Sequence, residues 1–402
     1  MKRIAFILAL ACMVSCAEPM DKLADRVMQR ATVQFTQMDA RLGETELPRS
    51  FIDGKCKNTD AHHWVSGFYP GSLWYVYQYT SNEAVKELAV KNTLKLQDIC
   101  NLKTSHDIGF QVNCSYGNAF LNTKDTSYLA VYEQACAKLA KRYNPNVKCI
   151  RSWDWGKTWD FPVIVDNMMN LELLERGAIL FACDSLSDIA RNHAVTTMEN
   201  HFRDNFSCYH LVDYDSATGE VRGKQTVQGY ANETSWSRGQ SWGLYGYTMM
   251  YDQTGDERFL AQAENIASYI IPELPEDGVP YWDFNAPGTP HAVADDAPGY
   301  PENYQKTDVV LRDASAGAII ASALVQLSTL TQDKKAASNY LKTAEKIIRT
   351  LASEEYLAAE GENGNFLLKH SVGNLHGNSE VDVPLTYADY YYLEAIVRYM
   401  AL

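Results

Sequence analysis

The chain repeats one local grammar. An apolar helix rich in Gly, Ala and aromatics is followed by a short turn of Thr, Ser or Asp, and then by a helix with Lys and Glu on one face. The pattern recurs in NAFLNTKDTSYLAVYEQACAKLAKRY, ERGAILFACDSLSDIARNHAVTTMENHF, YGYTMMYDQTGDERFLAQAENIASYII and SALVQLSTLTQDKKAASNYLKTAEKII. Asp21 to Met38 reads as the first helix, and Phe68 to Thr80 with Ser81 to Asp98 as a pair. Pro384 to Met400 reads as a final helix that pairs with the first. The 3.6-residue period and the turn signals predict about six helical hairpins. Hairpins repeated in this way stack as an open solenoid or close into a ring. The long segments 40–67, 100–115, 143–161, 204–238 and 272–314 alternate with short turns. That alternation suits an all-α, closed α/α barrel with long loops at one end, although pattern alone leaves the solenoid open. No linker divides the chain, so the expectation is one barrel domain over residues 21–402.

Composition narrows the function. The 402 residues are 46% hydrophobic and 21% charged, which is ample for a large core. A formal net charge of −14 argues against nucleic acid or an anionic membrane surface as a partner. An anionic substrate would need cations gathered locally. Lys2 and Arg3 precede the apolar run Ile4 to Val14, which ends in Ser15 and Cys16. The run is too short to span a membrane and reads as a signal peptide over residues 1–15. A small residue before a cysteine resembles a lipoprotein cleavage site. The expectation is a lipid anchor at Cys16, a tether over 16–20 and a periplasmic location; a cleaved soluble product is the plainer alternative. Seven further cysteines, with no CxxC, are expected mostly as free, buried thiols.

The polar candidates sit in the long loops. In RSWDWGKTWDFPVIVDNMMNLELLERG, three tryptophans precede a helix expected to begin around Asp160 and Pro162. On that helix Met169, Asn170, Leu173 and Leu174 fall within about 80° of Asp166, with Glu172 and Glu175 on a solvated face. Asp166 then shares the apolar face, where burial raises a carboxyl pKa as a general acid requires. A buried Asp bonded to a neighbouring loop is the bland alternative, but tryptophan rings are platforms for sugars. HDIGFQV supplies Asp107, YHLVDYD supplies His210, Asp213 and Asp215, and TVQGYANETSWSRGQSWGLYG supplies Gln228, Trp236, Arg238 and Trp242. Carboxylates, a guanidinium fork and indole rings together suit a sugar-acid pocket. Each also has a structural reading: a turn cap for Asp107, a satisfied core histidine for His210, helix carbonyls for Arg238. Asp313 and Asp382 read as helix caps.

These motifs carry a resemblance. HHWVSGFYPGSLW, HDIGFQ, WDFPVIVDNMMNLELL, VQGYANETSWSRGQSWGLYG and SEVDVPLTYADYYYLEAI together resemble glycoside hydrolase family 88, the unsaturated glucuronyl hydrolases. The resemblance implies an (α/α)6 barrel, no metal or organic cofactor, and removal of the 4,5-unsaturated uronic acid from lyase-generated oligosaccharides. It places the general acid/base on Asp166 and a second essential aspartate on Asp107. It places substrate contacts on Trp64, His210, Gln228, Arg238 and Trp242. A similar family member has tryptophan where Thr234 stands, so Thr234 is expected to leave room for a sulfated sugar. The late loop KHSVGNLHGN offers Ser371 and His376 but does not match the Ser and Lys that some relatives carry there. The reaction implied is hydration of C4=C5, not displacement at C1. An unsaturated galacturonyl hydrolase, an inverting glycosidase and a glycan-binding lipoprotein without activity remain as alternatives.

Overall fold

A computed structural model describes residues 18–103, 105–294 and 309–402. The expected signal segment and the expected lipid anchor at Cys16 therefore lie outside the described residues.

The helices are α1 (Met20–Asp39), α2 (Phe68–Thr80), α3 (Glu83–Leu94), α4 (Ile108–Val112), α5 (Asn118–Thr123), α6 (Leu129–Ala140), α7 (Asn167–Phe181), α8 (Asp184–His201), α9 (Ser237–Thr254), α10 (Glu257–Glu273), α11 (Ala314–Leu330), α12 (Lys334–Leu351) and α13 (Thr386–Met400). A π-helical turn, Asn113–Gly117, joins α4 to α5. The packing closes a ring. Helix α2 touches α13, α13 touches α11, α11 touches α9, α9 touches α7, α7 touches α4, and the π-turn returns to α2. Helices α3, α6, α8, α10, α12 and α1 form the outer layer. The result is the (α/α)6 barrel.

Sequence explains which helix lies where. Thirteen of the seventeen residues of α11 are buried, and small residues such as Gly317, Ala318 and Ala321 let its neighbours approach on every side. Helix α12 buries only Tyr340, Ala344, Ile347, Ile348 and Leu351, one stripe at helical spacing. The outer helices begin at polar caps. The side chains of Asn82, Asp256 and Asp333 accept from the first-turn amides of α3, α10 and α12.

The loops carry more β-structure than the sequence suggests. Strands β1 (Leu47–Ile52) and β2 (Lys55–Thr59) form a hairpin, as do β3 (Tyr143–Asn144) with β4 (Cys149–Ile150) and β8 (Ser371–Asn374) with β9 (Ser379–Val383). Strands β5 (Phe161–Ile164), β6 (Leu211–Tyr214) and β7 (Val221–Gln225) form a sheet in that order.

Four sequence expectations need correction here. Asp160 and Pro162 do not start a helix. The run Phe161–Ile164 pairs with β6, and α7 begins only at Asn167. The β-branched Val163, Ile164 and Val165 favour the strand, and Pro162 is tolerated because β5 is an edge strand. Glu172 and Glu175 are buried, not solvated. Glu172 pairs with Arg176 at 2.6 Å and accepts from Asn113, while Glu175 accepts from Ser187. Helix α3 stops at Leu94, before the expected Asp98. Asp382 lies in β9 with φ +54° and pairs with His370 at 2.7 Å, so it caps nothing. Asp313 does cap α11, accepting from the Ser315 amide. All seven cysteines among the described residues are free thiols; Cys114, Cys136, Cys149 and Cys208 are buried and Cys56 is exposed.

Candidate active site

The inner helices present their N-terminal turns to one cavity of ≈ 210 Å³, lined by Trp64, Ser105, His106, Asp107, Trp153, Trp155, Ile164, Asp166, Gln228 and Arg238. Asp107 immediately precedes α4, Asp166 precedes α7, and Arg238 sits in the first turn of α9. Three segments far apart in sequence thus meet because parallel inner helices begin at the same end.

Close packing sets the two aspartates. A Cβ on Gly109 would lie 2.4 Å from Asn170 Oδ1 and 2.6 Å from its Cβ, so α4 and α7 approach closely only with glycine there. Across the contact Asn170 Oδ1 accepts from the Phe110 amide at 2.8 Å. We expect Gly109→Ala to push α4 away from α7. The cost should be about 1–3 kcal/mol in urea unfolding, with a fall in kcat larger than the rise in KM. A variant with wild-type kcat and stability would show that this contact does not position Asp107.

Asp107 is held on both oxygens. Ser105 Oγ donates to Oδ2 at 2.5 Å, and His106 Nε2 lies 3.4 Å from Oδ1. His106 is itself buried, and burial lowers its pKa, so the ring is neutral near pH 7. Sequence reasoning passed over Ser105 and His106 as site residues; their adjacency to Asp107 was the available signal.

Asp166 is the carboxyl lining the cavity whose proton affinity is raised. Burial pushes its carboxyl up to about 7, with nearby Asp107 adding to the rise and Arg238 opposing it. Its side chain makes no cap hydrogen bond to α7. Asp166 Oδ2, His210 Nε2 and Trp242 Nε1 are buried and reach no partner at full hydrogen-bond geometry among the described residues, although Trp242 lies close enough to Asp166 to oppose part of the rise in its pKa. The His210 Nε2 to Asp166 Oδ2 separation is 3.6 Å. The histidine tautomer follows from its other nitrogen. His210 Nδ1 accepts from the amides of Val227 at 3.0 Å and Gln228 at 3.3 Å. The proton must then be on Nε2, facing Asp166. Burial, with Arg238 adding to it, lowers the His210 pKa to about 3, so the ring is a neutral donor at working pH.

Arg238 is braced more than it is free. Nη1 reaches Asp313 at 3.1 Å and the Val372 carbonyl, and Nη2 reaches the Gly373 carbonyl at 2.6 Å. The guanidinium stacks 4.4 Å from the Trp236 ring. Gln228 Nε2 donates to the same Gly373 carbonyl at 3.2 Å, which leaves its Oε1 as an acceptor. Arg238 thus bonds strand carbonyls of the β8–β9 hairpin, where the sequence offered helix carbonyls.

The tryptophan loop walls the cavity. Trp153 and Trp155 stack at 4.6 Å with planes 12° apart, and Trp159 packs edge-on against both. Trp64 also lines the cavity and packs against Phe110 and Tyr387. Trp242 is wholly buried behind Asp166 and does not line the cavity. Thr234 also stands apart from it: Oγ1 donates to Asp283 at 2.8 Å and the residue is buried. Asp213 ties the Asp160 and Phe161 amides, and Asp215 caps a turn at Ala217 and Thr218; both are structural. Ser371 is buried with its Oγ accepting from the Ser315 amide, and His376 bonds the Gly229 carbonyl.

A helical barrel with two neighbouring carboxyl groups, one of them buried with its pKa pushed up, under stacked indoles defines a carbohydrate-active hydrolase site. Comparisons sharpen the class. No family model matches the chain. It is 42% identical over 366 residues to an unsaturated glucuronyl hydrolase of Formosa agariphila, covering 89% of this chain and 85% of that protein. It is 31% identical to an unsaturated chondroitin disaccharide hydrolase of Streptococcus agalactiae, covering 85% of this chain and 83% of that one. Among solved structures, an unsaturated glucuronyl hydrolase specific for heparin superposes with a TM-score of 0.87 at 45% identity, covering 95% and 98% of the two chains. An Asp-to-Asn variant of a Streptococcus agalactiae enzyme, solved with dGlcA-GalNAc6S, matches with a TM-score of 0.77 at 27% identity, covering 94% and 92%. The chain belongs to the unsaturated glucuronyl hydrolases, glycoside hydrolase family 88.

Proposed function

We propose that this protein releases the 4,5-unsaturated uronic acid from the non-reducing end of lyase-generated glycosaminoglycan oligosaccharides, by adding water across C4=C5. The observation that carries the reading is the buried Asp166 carboxyl, its pKa pushed up to about 7 and its Oδ2 unsatisfied, beside Asp107 in a tryptophan-walled cavity. A carboxyl with a pKa of about 7 is matched to giving and taking a proton at neutral pH.

The residues divide the work. Asp166 delivers its proton to C4 of the enol ether, and positive charge develops at C5 and the ring oxygen. Asp107, held by Ser105 and His106, offers a fixed carboxylate to that charge. Asp166, now ionised, takes a proton from the water that attacks C5, and the neutral His210 Nε2–H faces the carboxylate as it forms. The hemiketal produced at C5 opens and releases the remaining saccharide. Stacked indoles hold the ring, and the unused donors of Arg238 with Gln228 Oε1 meet its carboxylate and hydroxyls. The relatives named for glucuronyl and chondroitin disaccharide hydrolysis support this substrate class. The test is a set of lyase-generated disaccharides from chondroitin, hyaluronan and heparin. Loss of the enoate's ultraviolet absorbance in step with release of the second sugar supports the reading. Binding without absorbance loss on every member contradicts it.

A further inference from the structure

The tryptophan loop has a second side. Trp153 and Trp155 line the catalytic cavity, while Arg151 and Asp154, which alternate with them, line a neighbouring groove of ≈ 510 Å³. Lys141, Arg142, Tyr143 and Asn144 complete that groove. Its charged lining is Lys141, Arg142 and Arg151 against Asp154, an excess of cations in a chain whose net charge is −14. The cations are organised. The Arg142 fork grips Asp154 at 3.0 and 3.1 Å, and its Nε donates to the Arg151 carbonyl at 2.8 Å. Arg151 Nε donates to the Trp153 carbonyl at 3.0 Å and lies 3.7 Å from Asp154. Asp154 faces Arg142, Arg151 and Lys103, and Asp160 also acts on Arg151, so the two carboxylates offset part of this charge, while Lys141 is exposed. Trp155, 59% exposed and stacked on Trp153, lines the catalytic cavity next in sequence to Asp154 of the groove.

We propose that this groove is a second anion-binding subsite, which takes the sulfate or carboxylate of a sugar unit beyond the two at the catalytic centre. An oligosaccharide whose first ring lies at Asp166 and Asp107 leaves the cavity over the exposed face of Trp155. The next anionic group then meets Lys141 and the Arg142–Arg151 pair. Attraction of this kind raises capture of long, sulfated chains against a repulsive overall field. The inference rests on the hydrolase reading and extends it from disaccharides to longer substrates. The plainer alternative is that Arg142, Arg151 and Asp154 only brace the loop.

The test uses Lys141→Glu and Arg151→Gln, with Lys141→Arg as the conservative variant and thermal melts as the folding control. Arg142 is left intact because it holds the loop. The readout is kcat/KM on an unsaturated sulfated tetrasaccharide, its unsulfated counterpart and the matching disaccharide. Lys141→Glu should lower kcat/KM for the sulfated tetrasaccharide about tenfold relative to the disaccharide, mainly through KM. Lys141→Arg should keep the wild-type ratio, and added salt should erode the wild-type preference for the tetrasaccharide. Equal losses on all three substrates would make the groove structural. Unchanged ratios would overturn the subsite while disaccharide turnover left the hydrolase reading standing. A wild-type protein inactive on every unsaturated saccharide would overturn both.

Discussion

Asp166→Asn should lower kcat by about 10²–10⁴-fold, the range for a lost general acid–base group, and should leave a folded barrel that binds substrate. Asparagine keeps the shape of the side chain and removes its titratable proton. The same substitution should stabilise the protein, and the sign follows from the pKa. Burial raises the Asp166 carboxyl from its ordinary value to about 7. A carboxyl raised on folding favours the native state at low pH, and that contribution is lost as pH rises through the folded-state value. Above pH 7 the wild type must keep a buried charge that the variant lacks. The melting temperature of Asp166→Asn should therefore exceed that of the wild type at pH 8, by a margin that shrinks towards pH 4. Wild-type activity should decline above pH about 7 as the acid form is depleted. A variant that keeps near-wild-type kcat would remove Asp166 from the proton transfer. A melting difference independent of pH would remove the buried-charge explanation.

Arg238→Met should be the most damaging substitution for stability. It leaves Asp313, wholly buried, without its cation, and the Val372 and Gly373 carbonyls without two of their donors. Removing one partner of a buried pair costs about 3–5 kcal/mol. Arg238→Lys keeps the charge but cannot span Asp313 and two strand carbonyls at once. It should cost about 1–3 kcal/mol and reduce kcat/KM as the β8–β9 hairpin loses its tie to α9. Urea unfolding with parallel kinetics checks both variants. If Arg238→Met unfolds at the wild-type urea midpoint, the pair with Asp313 contributes nothing to the fold.

The barrel was legible in the sequence because its signal is periodic. Inner and outer helices differ in composition over whole turns, and Phe68 to Thr80 is a helix in both readings. Asp166 was legible for a partly mistaken reason. The sequence placed it one turn into a helix on the apolar face, whereas it stands just before α7 where β5 ends. The cap-and-proline signal at Asp160 and Pro162 competed with the β-branched run after it. Pairing with β6, some fifty residues away in sequence, decided for the strand. Glu172 and Glu175 failed for a related reason. Helical phase marks a polar face but cannot show that Asn113 of the π-turn and Ser187 of α8 cover it, with Arg176 of the same helix closing over Glu172. The role of Arg238 was hidden because its partners, Asp313 and the Val372 and Gly373 carbonyls, lie 75 or more residues away. The sequence reading has Thr234 leave room for a sulfated sugar in the pocket; its side chain is instead buried outside the cavity lining, where its hydroxyl donates to Asp283.

Where water adds decides the mechanism most directly. Turnover of an unsaturated disaccharide in heavy, oxygen-18-labelled water separates hydration from ordinary glycoside cleavage in one product analysis. Protonation by Asp166 at C4 predicts one deuterium on that carbon, labelled oxygen at C5 and loss of the double bond in step with release of the second sugar. Labelled oxygen at C1 with the double bond retained would contradict it.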